Sequence, residues 1–229
     1  MHFQEDIVKN LTVEESSYKC YLCKDTGYIF NKLNCSVVKC KCLIERQRAI
    51  LPSLYANKTF KDMNLDGYRN KQQIKALINY IENANPMEVK KGLYIQGDVG
   101  RGKTLFASCV FNYFVNFMNV KFIKVEELIA KARDMFSDET IDLDKYKEAD
   151  ILILDDLGIE KVTEYAEDVL YALIDYRYVR QMPIFITSNT PASKLLELYP
   201  KHGKRIESRL IGYKAMCEVM TLDGVDYRK

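Results

Sequence analysis

The sequence predicts an α/β protein with a parallel five-stranded sheet flanked by helices, and three observations predict it. From Gly92 onward short apolar runs alternate with longer helical patterns, which is the signature of crossover-connected strands. A glycine-rich turn, GDVGRGKT (97–104), lies between one such run and the next helix. A later run, ILILDD, ends on two carboxylates. The strand candidates are LYIQ (93–96), VKFI (120–123), ILILD (151–155), PIFITS (183–188) and MCEVM (216–220). Helical stretches fall near 103–118, 126–137, 163–181 and 192–199, with a last one near 204–211.

Upstream the character changes. Residues 51–91 form a linker and helix leading into the core: an Asp66-Gly67 turn precedes a helix over 69–84, where Ile74, Leu77, Ile78 and Ile81 recur at helical spacing. Asn85-Pro86 closes it. Residues 1–50 are polar and cysteine-rich and read as a separate small module. No internal repeat or low-complexity tract appears.

Composition limits the function classes. The chain has 229 residues, with 34 Lys and Arg against 32 Asp and Glu, a net charge of +2. That balance excludes coating of nucleic acid by bulk charge, so any basic surface must be local. No run approaches the roughly 18 apolar residues of a membrane span. The start, MHFQEDIVKN, is unlike a signal peptide, and a cytoplasmic protein without membrane contact is expected.

Residues 97–104 match G-x-x-x-x-G-K-[ST] between a strand and a helix, the context such a phosphate loop requires. The candidate nucleotide contacts are Gly97, Asp98, Val99, Gly100, Arg101, Gly102, Lys103 and Thr104. Gly97, Gly100 and Gly102 let backbone amides face phosphate oxygens, and the positive end of the following helix points at the same anion. Lys103 reaches the β- and γ-phosphates of ATP, while the Thr104 hydroxyl serves Mg²⁺. At the carboxyl end of 151–155, Asp155 is placed to hold Mg²⁺ and Asp156 to orient and deprotonate the attacking water. Asn189, at the end of the 183–188 run, would lie beside that pair. Arg205 and Arg209, four apart, share one helix face. Such a face is ordinarily solvated; the sharper reading sends an arginine to a neighbouring subunit's γ-phosphate.

Five of the seven cysteines lie between positions 20 and 42. Cys20-x-x-Cys23 and Cys40-x-Cys42 offer four thiolates for a closed, structural Zn²⁺ site in a zinc-ribbon-like outline, with Cys35 spare. Cys109 and Cys217 fall in apolar elements.

Together these motifs resemble the DnaC/DnaI-type helicase-loader ATPases of the AAA+ class, close to the IstB-type transposition helpers. The residues that carry the resemblance are the cysteine knuckle with D-T-G-Y (25–28), the later C-x-C, the phosphate loop, D-D-L-G (155–158), T-S-N (187–189), R-I-E-S-R-L (205–210) and the terminal G-V-D-Y-R. The resemblance implies that GDVGRGKT is the Walker A and Asp155–Asp156 the Walker B pair. It makes Asn189 the first sensor and Arg209 the arginine finger, with Arg205 a second candidate. It also implies a replicative helicase and single-stranded DNA as partners, and self-assembly into an ATP-dependent ring or spiral. Two departures stand out. Asp156 replaces the commoner Glu, which implies slow or partner-stimulated hydrolysis, and the roughly 20 residues after Arg209 are too few for a full C-terminal lid. Arg228 is a candidate for nucleotide or subunit contact. Two other readings are an IstB-like helper on duplex DNA and an ATP-dependent protein-binding switch that does not touch DNA. Basic, aromatic-rich patches at Lys121–Lys124 and Tyr171–Arg180 bear on the second of these.

Overall fold

The computed structural model describes residues 18–32, 35–134 and 143–227. The chain divides into two compact units, Met1–Ile44 and Glu45–Lys229. In the first, β1 (Tyr28–Asn31) and β2 (Ser36–Lys39) form an antiparallel hairpin with Tyr28 opposite Lys39. Helix α1 (Lys41–Arg48) follows directly. It is absent from the sequence expectations because KCLIERQR carries no apolar stripe, and it buries no side chain.

In the second unit a 3₁₀ turn, Phe60–Asp62, is closed by a reciprocal cap. The Thr59 amide and hydroxyl both donate to the Asp62 carboxylate at 2.8 Å. Helix α2 (Lys71–Asn83) buries Ile74, Ile78 and Ile81, the stripe its spacing predicts. Asn85 then accepts the Met87 amide across Pro86, and the chain enters the sheet.

The sheet comprises β3 (Gly92–Gln96), β4 (Val120–Lys124), β5 (Ile151–Leu157), β6 (Ile184–Ser188) and β7 (Cys217–Thr221). All its pairings are parallel and the spatial order is β4-β5-β6-β3-β7. The connecting helices are α3 (Lys103–Phe114), α4 (Val125–Asp134), α5 (Asp144–Lys147), α6 (Glu164–Val179), α7 (Leu195–Leu198) and α8 (Gly203–Ile211). Helix α3 ends four residues before the expected 118. The stretch near 192–199 splits into a 3₁₀ turn, Ala192–Lys194, and the single turn α7. The expected end of α4 near 137 lies outside the described residues.

The core explains why β5 reads as unbroken apolar sequence: Ile151 to Leu154 are all fully buried, with helices on both faces of the sheet. Among the polar groups buried with them, Arg177 is the largest side chain. Arg177 of α6 is completely inaccessible, and its guanidinium donates to the carbonyls of Tyr146, Lys147, Ala149, Asp150 and Pro183 at 2.7–3.3 Å. It therefore pins the entrances of β5 and β6 together, and burial lowers its pKa to about 10. No helix among the described residues is long and apolar enough to cross a membrane.

Candidate functional site

The carboxyl ends of β3, β5 and β6 converge on a cleft of about 600 Å³. In open α/β sheets ligands bind at this edge, outside the carboxyl ends of the strands. One wall is the phosphate loop. Gly100 has φ +80°, and a Cβ there would stand 1.9 Å from an Asp226 carboxylate oxygen; Gly102 has φ +77° and caps α3. Both positions therefore require glycine. The Lys103 ammonium lies inside the loop, donating to the Gly97 and Asp98 carbonyls at 2.8 Å each. Arg101 pairs with Asp98 at 3.5 Å, while Val99 is exposed on the rim.

The loop is braced from distant parts of the chain. The Tyr227 amide donates to the Gly100 carbonyl at 3.1 Å, and the Tyr68 hydroxyl donates to that of Arg101 at 2.7 Å. The two tyrosine rings lie 5.3 Å apart, and the Tyr227 hydroxyl reaches the Asn64 carbonyl at 2.7 Å. The terminal G-V-D-Y segment and the Asp66-Gly67 turn thus clasp the phosphate loop. Leu54, Tyr55, Lys58, Asp62, Met63 and Asn64 form the rest of this side. From the sequence, Thr59–Tyr68 is the region expected to hold the adenine, and Asp62, Met63, Asn64 and Tyr68 line the cleft. The bracing bonds of Tyr68 and Tyr227 are not legible there, and Arg228 lies outside the described residues.

Asp155 is fully buried. The Thr104 hydroxyl lies 3.1 and 3.3 Å from its two carboxylate oxygens, and the Thr187 hydroxyl donates to one of them at 2.6 Å. Burial pushes the Asp155 carboxyl up to about 6, against the opposing effect of the Thr187 hydrogen bond. A hydroxyl at the head of the phosphate-loop helix beside a buried carboxylate is a hard oxygen donor set that suits Mg²⁺.

Between Leu154 and Leu157 the β5–β6 register slips, because three steps on β5 span two on β6. The extra residue is a bulge, and Asp156 sits in it with φ +63°. Its amide donates to the Thr187 hydroxyl at 2.8 Å, so one buried threonine holds Asp155 by the side chain and Asp156 by the backbone. The bulge turns Asp156 onto the cleft, where it is partly exposed and 3.9 Å from the Lys124 ammonium. Asn189 lines the cleft too. The Ser188 hydroxyl fixes that strand end by donating to the Leu157 carbonyl at 2.7 Å and accepting the Thr190 amide. Thr187 is the hub that sequence reasoning passed over in favour of Asn189; its signal was a β-branched hydroxyl paired with the acidic strand.

Arg209 lies elsewhere. It docks on α6, with its Nε on the Asp175 carboxylate, its Nη2 3.1 Å from the Tyr171 hydroxyl and its guanidinium 5.0 Å from the Tyr171 ring. Arg205 is more exposed, 5.5 Å over the same ring. Neither lines the cleft of its own chain.

In the cysteine unit, the sulfurs of Cys20, Cys23, Cys40 and Cys42 lie within 4.8 Å of one another, with 3.7 Å from Cys20 to Cys40 and 3.4 Å from Cys23 to Cys42. Tetrahedral Zn²⁺ with Zn–S bonds of about 2.3 Å sets S–S edges of roughly 3.8 Å, so the four fit such an ion. The D-T-G segment shapes the cage. The Asp25 carboxylate accepts the Lys19 and Cys20 amides at 3.1 and 2.8 Å, and the Thr26 hydroxyl donates to the Cys23 carbonyl at 2.6 Å. The Cys23 backbone amide leads in lowering the Cys20 thiol to about 7, whereas the Cys23 thiol leads in raising that of Cys42 to about 12. Cys35 is exposed and outside the cluster; Cys109 and Cys217 are buried in the core.

The strand order, the phosphate loop and the acidic pair define a P-loop, ATP-binding protein of the AAA+ ATPase class. More narrowly, the chain belongs to the IstB-like ATP binding protein family, whose profile matches residues 43–229. It is 24% identical over 174 residues to the replicative helicase loader DnaI of Bacillus subtilis, a match covering 71% of this chain and 56% of that one. The chain thus spans little more than half of that relative. Among solved structures, DnaI superposes with a TM-score of 0.62 at 26% identity, covering 75% of this chain and 94% of that one. The DnaC helicase loader gives 0.56 at 27% identity, covering 69% and 95%.

Proposed function

We propose that this protein is an ATP-hydrolysing DNA replication protein that loads a replicative hexameric helicase onto single-stranded DNA. The observation that carries the reading is convergence: Lys103, Asp156 and Asn189 line one cleft, with Thr104 and the buried Asp155 at its floor. In this reading the loop amides and Lys103 bind the phosphates of ATP, and Thr104 with Asp155 holds Mg²⁺, which neutralises phosphate charge when bound. Asp156 receives the proton of the attacking water, Asn189 positions that water, and Arg209 of an adjacent subunit completes the site in a ring or spiral. Arg209 would have to exchange Asp175 for phosphate, which makes turnover dependent on assembly. The four clustered cysteines hold one structural Zn²⁺. Similarity to DnaI and DnaC supports the helicase as partner and a cytoplasmic location.

The experiment is a pull-down against the host's replicative helicase, with and without ATP, alongside nucleotide binding and turnover. Lys103→Ala should abolish nucleotide binding. Asp156→Asn should keep binding and lose hydrolysis by about 10²–10⁴-fold. Helicase capture that depends on ATP supports the loader. Turnover without capture, together with ATP-dependent assembly on duplex DNA, would favour the second reading, an IstB-like helper, which the family match supports.

A further inference from the structure

A second cleft, of about 620 Å³, lies at the other edge of the sheet. Lys90, Lys91 and Lys214 line it together with Tyr178, Val179 and Gln181, and no carboxylate is among its lining residues. Lys90 and Lys91 immediately precede β3, Gln181 lies just before β6, and Lys214 just before β7. These three strands are neighbours and parallel, so their amino ends gather the three lysines at one place. The nucleotide cleft opens at the carboxyl ends, and a five-residue strand separates the two edges by roughly 17 Å.

All three lysines are exposed, and among the described residues none forms a salt bridge. Three like charges in one concavity repel, and the remaining walls do nothing to offset them. Val179 is 68% exposed, and neighbouring Tyr213 is 92% exposed. Tyr178 is half-buried, with the Arg209 guanidinium, itself paired with Asp175, 5.5 Å from its ring. A net charge of +2 over the whole chain conceals this local excess. The chemistry that answers three unpaired ammonium groups is a string of phosphates. A tyrosine and an exposed apolar wall beside them suit unstacked bases. The volume falls within the roughly 300–1,000 Å³ of a small-ligand pocket, enough to take an unstacked base beside the lysines.

We propose that this cleft is a contact site for single-stranded nucleic acid, with Lys90, Lys91 and Lys214 on backbone phosphates and Tyr178 and Val179 against the bases. The proposal rests on the single-stranded DNA reading above and assigns it a surface. The site lies across the sheet from ATP, so occupancy is compatible with either nucleotide state. Its link to the nucleotide cycle runs through Tyr178, because Arg209 packs on that ring.

The test compares the full chain with the Lys90→Gln, Lys91→Gln, Lys214→Gln variant, using a fluorescent oligothymidine of about 15 nucleotides in ATP and a series of salt concentrations. Affinity should fall at least about tenfold. The slope of log K against log salt should shrink by about 2, from roughly 0.7 per phosphate over three contacts. Binding of a fluorescent ATP analogue should stay within about twofold, given the opposite sheet edge. Unchanged oligonucleotide affinity and slope in the variant would remove the cleft as the contact while leaving DNA binding intact. No binding by the unmodified chain would sink both the reading and the proposal. Displacement by polyglutamate as effective as by unlabelled oligothymidine would reject nucleic acid in favour of an acidic protein segment. Tighter binding of the matching duplex, equally weakened in the variant, would reject the single strand.

Discussion

Met1–Ile44 and Glu45–Lys229 differ in what holds them together. In the first unit the only buried side chains among the described residues are Cys23 and Cys40. The apolar residues of its hairpin, Tyr28, Phe30, Val37 and Val38, are between 46% and 64% exposed. The second unit buries Tyr94, Leu152, Leu154, Ile174, Ile186 and Leu210 completely in one continuous cluster on one face of the sheet, while Ile95, Ile151 and Ile153, which alternate with them along the strands, are buried as completely. A segment of about 40 residues cannot cover enough apolar surface to offset the entropy of ordering its chain. A 185-residue unit can. The same chain therefore contains one body whose fold depends on a ligand cage and another that folds on apolar burial and only then arranges polar groups at its edges.

The largest effect that can break this comparison is metal removal. Structural Zn²⁺ in small domains contributes on the order of 10–16 kcal/mol. A strong chelator, or the Cys20→Ser, Cys23→Ser pair, should release one zinc per chain and open the segment before residue 45 to protease. The core should stay resistant, and ATP affinity should remain within about twofold. Protection of that segment after zinc loss would show that something other than the cage holds it. The reciprocal perturbation is Arg177→Met, which keeps the long stem and removes five hydrogen bonds from a fully buried position. Stranding those carbonyls should cost about 3 kcal/mol or more. Thermal unfolding of the core should then fall by roughly 6–12 °C, with zinc content unchanged. An unaltered midpoint would mean the entrances of β5 and β6 do not need the pin.

Sequence reading succeeded where the determinants are local. Each of the five apolar runs became a strand within a residue or two, and GDVGRGKT met its strand and helix as expected. It failed where the determinants are distant or hidden in a doubly buried strand. ILILDD shows no alternation, so nothing in it announces the bulge or the φ of +63° at Asp156. Arg177 reads as an ordinary charged helix residue, because its carbonyl partners arrive by crossover from 146–150 and 183. Tyr227 and Tyr68 meet the phosphate loop only once β7 has been laid beside β3. Arg205 and Arg209 share one face of α8 over the Tyr171 ring, but nothing local in the sequence announces the docking of Arg209 on Asp175.

The smallest expected effect on stability sharpens the comparison within the core itself, by separating what folds the sheet from what sets its edge. Thr187→Val preserves shape and β-branching in a fully buried site. It removes the proton donated to Asp155 at 2.6 Å and the acceptor of the Asp156 amide at 2.8 Å. Unpairing that amide should destabilise the core by about 1–2 kcal/mol, well below the Arg177 effect. Function should suffer more than stability, because the left-handed backbone at Asp156 costs energy and persists only while its surroundings hold it. Affinity for ATP without Mg²⁺ should stay within a few-fold, since Lys103 and the loop amides are untouched. The Mg²⁺ requirement should rise and kcat should fall by about tenfold or more, and Thr187→Ser should restore both. A valine variant with normal kcat and normal Mg²⁺ dependence would show that β5 and β6 alone hold the acidic pair, and that the threonine contributes only to packing.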